Sequence, residues 1–278
     1  MVFTPCGLPL PMSFILSVVT ASAFAPATAF EFTHVPTLHV RLAPRLAPPR
    51  AARPCMVDSS GIDGWPELAQ AFVFVGSYAI LGACAVGTTR LFDAARESAL
   101  PLIAGSRSAA AELHRDFVAA LPLLGLLYLA AGVGHFADAE AFRAIYPPVG
   151  TWGLWYLPGS AEFHVAWTGV AECLGGGGLA LGGLLNGLGV EAEGALGLPV
   201  GGLLTAASAG GLFLLTVAVT PANIYMFTHG AVMSGQDAGA ALGLSFHCAR
   251  FGIQVVLLSL LATLARDSFY YAWGDQLD

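Results

Sequence analysis

The 278-residue chain contains no lysine, and its positive charge is eleven arginines against 18 acidic residues, for a formal net charge of -7. With no basic patch there is no electrostatic footprint for nucleic acid, and that class of partner is excluded. Charge of either sign is scarce: 10% of residues are charged, where an ordinary soluble domain carries roughly 25%. A soluble chain of this length needs more charge to cover its surface. The five cysteines, Cys6, Cys55, Cys84, Cys173 and Cys248, form no CxxC and no metal-ligand spacing, which argues against a disulfide framework or a zinc site. Three of them lie in apolar blocks, where cysteine behaves as a small buried hydrophobe. The glycine run Gly175 to Gly178 is not a phosphate loop, because no GxxxxGK[ST] can exist without lysine.

What the chain has is apolar residue in bulk. Hydrophobic side chains make up 56% of it, in blocks of about twenty, the length that crosses a hydrocarbon core of roughly 30 Å. The expected fold is all-α, a polytopic transmembrane helical bundle with the lipid bilayer as its surroundings.

The first fifty-five residues read as an address. Residues 8–23 carry a short apolar centre, Met12 to Val19, ending in small residues at Ala21 and Ala23, as in a signal peptide. Ala21-Ser22-Ala23-Phe24-Ala25-Pro26 resembles the ASAFAP cleavage motif of bipartite presequences in algae with complex plastids, which implies delivery to a plastid membrane, thylakoid or envelope. Residues 24–55 suit a transit peptide: Arg41, Arg45, Arg50 and Arg53 occur with one acidic residue, Glu31. A secretory signal followed by a proline-rich linker is the competing reading. The mature chain is expected to begin near Cys55 or Met56.

Five spans are expected after that. The first, Ala69 to Thr89, contains Gly76, Gly82 and Gly87, read as positions of close helix packing. A connection from Arg90 to Asp116 carries four arginines and should stay on the insertion side, the stroma. The second span, Phe117 to Phe136, places His135 near its end. The aromatic segment from Ala137 to Ser160, with Tyr146, Trp152, Trp155 and Tyr156, suits an interfacial belt, with a binding lid as the alternative. Ser160 should cap the third span, which runs to about Leu185 and carries Glu162, His164 and Glu172. At 1.5 Å per residue Glu172 lies roughly 15 Å beyond Glu162, where an unpaired carboxylate is expensive. The fourth span, Pro199 to Val219, should stop at Pro221. The fifth, Ala240 to Ala265, sets His247, Arg250 and Gln254 on one face, with Arg250 either at the membrane boundary or well inside. Residues 266–278 read as a polar tail.

Residues 117–265 resemble DoxX-like membrane proteins, a family of small four-helix bundles. The resemblance rests on Gly132-x-x-His135, on Val170-Ala171-Glu172 followed by Gly175 and Gly176, and on Thr220-Pro221-Ala222-Asn223-Ile224-Tyr225-Met226. It implies a four-helix core, here with one additional N-terminal helix in residues 56–116, and it brings Asn223 into the candidate site. His135 stands where many members have lysine, which would make a pair with Glu172 pH-sensitive. One branch of the family is associated with a quinone-reducing oxidase as a small membrane subunit.

These residues point to an intramembrane polar pocket built from Glu172, His135, His164, Glu162, Asn223, His247 and Arg250. Its expected occupant is a small hydrophobic or redox molecule such as a quinone, with the protein an accessory subunit and not a stand-alone enzyme. A scaffold or assembly factor for a membrane complex is the alternative, followed by a small-solute transporter that uses helix interruptions at Gly175 to Gly178 and at Pro221. No cofactor is required by the sequence. Haem or pigment ligation by His135, His164 or His247 lacks a paired pattern. The partner of Glu172 across the bundle is open among His135, His247 and Arg250.

Overall fold

The computed structural model describes residues 61–103, 121–190, 200–233 and 242–277. The expected signal and transit segments, the expected start of the mature chain, the arginine-rich connection after residue 103, the start of the second span before Leu121, the segment bearing Glu191 and Glu193, and the entry to the fifth span before Leu242 lie outside the described residues. The described part is helical throughout: α1 (Glu67–Ile103), α2 (Leu121–Ala137), α3 (Ala139–Ala144), α4 (Ala161–Gly187), α5 (Val200–Ala218), α6 (Thr220–His229) and α7 (Leu244–Leu277), with one 3-10 turn at Thr151–Gly153.

Four stretches are long and apolar enough to cross a membrane: Glu67–Arg96, Ala161–Gly187, Val200–His229 and Leu244–Tyr270. The chain is a multi-pass membrane protein. α2 is apolar but shorter over its described length. α4 packs on α2 and on α5, α5 on α7, and α1 lies against α7 on the outside of the bundle. Helices α2, α4, α5 and α7 run antiparallel to their neighbours in that order, whereas α1 runs parallel to α7, since Ala85 meets Ser259 and Asp93 meets Arg266.

Between lipid-soluble helices, close packing and hydrogen bonding replace the hydrophobic driving force. The glycine run serves the packing. A Cβ on Gly176 would lie 2.6 Å from the Gly125 carbonyl oxygen and the Leu129 nitrogen of α2. One on Gly175 would strike Leu212 of α5, and one on Gly178 would strike Ser208. A continuous helix therefore seats two neighbours at once, and the expected interruption at Gly175 to Gly178 is absent. The glycines of α1 behave oppositely: Gly76, Gly82 and Gly87 face open space and meet no helix among the described residues. The core below this level is Leu124, Tyr128, Leu179, Leu212, Leu215, Leu261 and Leu264.

Three helical runs extend beyond the bounds of their apolar blocks. α1 continues past Arg90 and Arg96, whose basic end is tied to α7 by Arg96 to Asp267 at 2.6 Å and Arg266 to Asp93 at 2.8 Å. Pro221 does not end the fourth span. It occupies the first turn of α6, where its missing N–H costs nothing, and only Val219 interrupts the run from α5. The polar residues after Arg266 are helical, α7 carrying on to Leu277.

Candidate functional site

The polar side chains gather at one end of the bundle, where α2 and α6 finish and α4 and α7 begin. Residues 138–160 close that end. Asp138 caps α3 by accepting from the Ala141 amide at 3.2 Å, and Ser160 caps α4 by accepting from the Phe163 amide at 3.2 Å, as expected. Between these caps the aromatic segment turns inward. Trp152 is fully buried, its indole N–H donates to Thr228 Oγ1 at 3.2 Å, and its ring lies 4.4 Å from that of Phe74. Its backbone is left-handed (φ 57°), flanked by Gly150 (φ 89°) and Gly153 (φ 70°). A bulky residue holds that conformation only when its surroundings demand it. Tyr156 is the aromatic side chain that faces outward. The segment thus folds over this end of the bundle as a lid, with Trp152 inside and Tyr156 outside.

The lid is latched by a row of polar contacts. The Ile62 amide donates to the Thr228 carbonyl at 3.0 Å, Asp63 Oδ1 lies 3.1 Å from His229 Nε2, and His229 Nδ1 lies 2.7 Å from Thr228 Oγ1. The order of carboxylate, imidazole and hydroxyl matches a nucleophilic triad in outline. Thr228 Oγ1, however, donates to the Ile224 carbonyl at 2.8 Å and is buried beneath Trp152, so no substrate reaches it. The row joins the chain before α1, the lid and the end of α6.

Under the lid is a pocket of about 200 Å³ between α2, α4, α6 and α7. His135, His164, Glu172, Asn223 and Arg250 all line it, as does Tyr146 of the lid. Glu172 sits roughly 16 Å along α4 at 1.5 Å per residue and is buried. Its Oε2 lies 3.1 Å from His135 Nδ1, but that nitrogen is aligned on the Ala131 carbonyl at 3.0 Å. The approach is one of charge, and Glu172 Oε2 is left buried with no hydrogen-bond partner. Because a carbonyl only accepts, Nδ1 of His135 carries a proton in this arrangement. The same ring stacks on Phe142 at 3.8 Å.

Tyr146 OH is the second unpartnered buried atom on this pocket. Burial pushes its phenol above the ordinary range, and the Trp155 indole nearby offsets this in part without being aligned for a hydrogen bond. Tyr146 is therefore a donor at any physiological pH. On the far wall Arg250 Nε donates to Asn223 Oδ1 at 2.8 Å, Asn223 Nδ2 to Gln254 Oε1 at 3.0 Å, and Gln254 Nε2 to Thr220 Oγ1 at 2.6 Å. α7 begins at Leu244, so Arg250 lies within the helix, its guanidinium held by Asn223 of α6. No carboxylate among the described residues pairs with it.

Not every expected residue belongs to the site's chemistry. His164 is on the pocket wall, but both its nitrogens are committed, Nε2 to the Pro158 carbonyl at 2.9 Å and Nδ1 to the Trp167 indole at 2.9 Å. It positions the lid and has no lone pair left for a ligand. Glu162 points away from the pocket, exposed, 3.7 Å from Arg143. His247 lies beyond the Arg250 row and faces a second cavity. Tyr146, Thr220 and Gln254 were not among the expected site residues. The spacing of Gln254 from Arg250 was the available signal, whereas nothing in the sequence separates Tyr146 from the other aromatic residues of its segment. No group of three His, Cys, Asp or Glu among the described residues is placed to hold a metal.

Fold and site define a multi-pass helical membrane protein with a lidded pocket at one end of the bundle. Comparison with protein-family models, with characterised proteins and with solved structures finds no match.

Proposed function

We propose that this protein binds a small hydrophobic molecule with a polar ring, of the quinone class, in the lidded pocket. The observation that carries the reading is that Glu172 and Tyr146, each with a buried oxygen that makes no hydrogen bond, both line the same pocket. Each such group costs about 1–3 kcal/mol when left unpaired, a cost that a bound ligand would offset. The chemistry suits a quinone and its reduced form. Carbonyl oxygens accept from the Tyr146 hydroxyl and from the Arg250 guanidinium, and a ring hydroxyl donates to Glu172. An intramembrane ionisable residue facing a cavity marks a binding site more often than a structural one.

The resemblance of residues 117–265 to DoxX-like proteins supports an accessory role beside a redox enzyme, with α1 as the added helix. The presequence supports a plastid membrane, with the end bearing Arg90, Arg96 and Arg266 toward the stroma. A fluorescent fusion of residues 1–60 tests the location: fluorescence in the secretory pathway and outside the plastid sinks it.

The binding test uses the purified full chain and a benzoquinone analogue. Glu172→Gln and Tyr146→Phe should each weaken binding about tenfold, the loss of one buried hydrogen bond. An unchanged affinity in both variants, or no binding by the unaltered chain, overturns the reading. Co-purification with a membrane complex, in the absence of ligand binding, would favour the scaffold role instead.

A further inference from the structure

On the other side of the Arg250–Asn223–Gln254 row lies a second cavity of about 320 Å³, between α1, α6 and α7. Its walls are mainly apolar: Ile80, Leu81, Ile224, Phe227, Leu244 and Phe251. Four of these, Ile80, Phe227, Leu244 and Phe251, are also exposed on the outer surface of the bundle, so the cavity opens sideways toward the lipid. Asn223 and Arg250 line both cavities.

We infer that this second cavity holds the alkyl or prenyl tail of the molecule whose ring occupies the lidded pocket, and that the ligand enters from the bilayer between α1 and α7. The inference rests on the proposed function and extends it to a tailed ligand. Three observations support it. Asn223 and Arg250, which line both cavities, are joined by a hydrogen bond at 2.8 Å, and a long flexible arginine can move aside. The lidded pocket alone, at about 200 Å³, falls below the roughly 300–1,000 Å³ of small-molecule sites, and the two joined fall well within it. The lid itself is latched through Trp152, Thr228, His229 and Asp63, which leaves the lipid-facing side as the unlatched approach.

The test compares a benzoquinone bearing a decyl chain with the same ring lacking it, on the purified full chain in lipid nanodiscs. At equal concentration in the bilayer the tailed analogue should bind at least about tenfold more tightly, the gain coming from packing of the chain against the cavity walls, since transfer out of lipid supplies no hydrophobic term. Ile80→Trp and Cys248→Trp, both at exposed positions on the cavity wall, should reduce that preference while leaving the affinity of the tail-less ring unchanged. The tailed analogue should also protect Cys248 from a membrane-soluble maleimide, with the exposed Cys84, which does not line the cavity, as the internal control read by mass spectrometry. Equal affinities for the two analogues overturn the inference while the ring site stands. A preference that survives both tryptophan variants with Cys248 unprotected places the tail elsewhere and overturns it too. If neither analogue binds, the ring site itself is wrong and the inference falls with it.

Discussion

Glu172 of α4 and His135 of α2 meet at 3.1 Å under the lid, and the carboxylate oxygen nearest the imidazole makes no hydrogen bond. Removing the histidine alone strands a buried carboxylate, and removing both groups does not. His135→Leu should destabilise the protein by about 3 kcal/mol, and His135→Leu with Glu172→Leu should recover most of that loss. Unfolding in detergent measures both. A double variant no more stable than the single one would show that the pair is not the relevant contact.

Trp152 fixes the lid through its burial and its bond to Thr228. Trp152→Ala should cost about 3–5 kcal/mol of lid stability. The readout is faster proteolytic cutting within residues 138–160, where local opening exposes backbone. Cutting at the rate of the unaltered protein would mean that the lid is held elsewhere.

The two sets of glycines should respond oppositely. Gly176→Ala drives a Cβ into the α2 backbone and should destabilise by about 1–3 kcal/mol. Gly82→Ala meets open space and should be neutral or stabilise by up to about 1 kcal/mol, because glycine weakens a helix interior. Thermal unfolding of the two variants side by side checks the sign of each.

At the far end, Arg266 grips Asp93 through two nitrogens, at 2.8 Å and 2.9 Å, across α1 and α7. A double-mutant cycle with Arg266→Gln and Asp93→Asn should return a coupling of about 0.5–1 kcal/mol that shrinks as salt is added. A coupling insensitive to salt would place the pair in a drier setting than its partial exposure indicates.

Much of the bundle is legible in the sequence because hydropathy and span length are properties of consecutive residues. The helices around His135, Glu172 and Gln254 follow from apolar blocks, and Ser160 announces the start of α4 by its own side chain. Pro221 misleads for a local reason: a proline is a stop within a helix but is tolerated in the first turn of the next one, and only the chain's path shows which applies. His164 and Glu162 share a helix with Glu172, yet one is consumed by Pro158 and Trp167 and the other turns outward to Arg143.

By itself the sequence determines that the chain is a multi-pass helical membrane protein and that Glu172 needs a partner, since charge and hydrocarbon cannot coexist cheaply at any fold. Tertiary structure alone decides that the partner is His135, that Arg250 belongs instead to Asn223, and that the aromatic segment folds in as a lid. Those outcomes depend on which helix faces which. The approach of α2 to α4 at Gly125, Gly132 and Gly176 brings His135 within reach of Glu172, and α7 packs on α5 and leaves Arg250 facing Asn223.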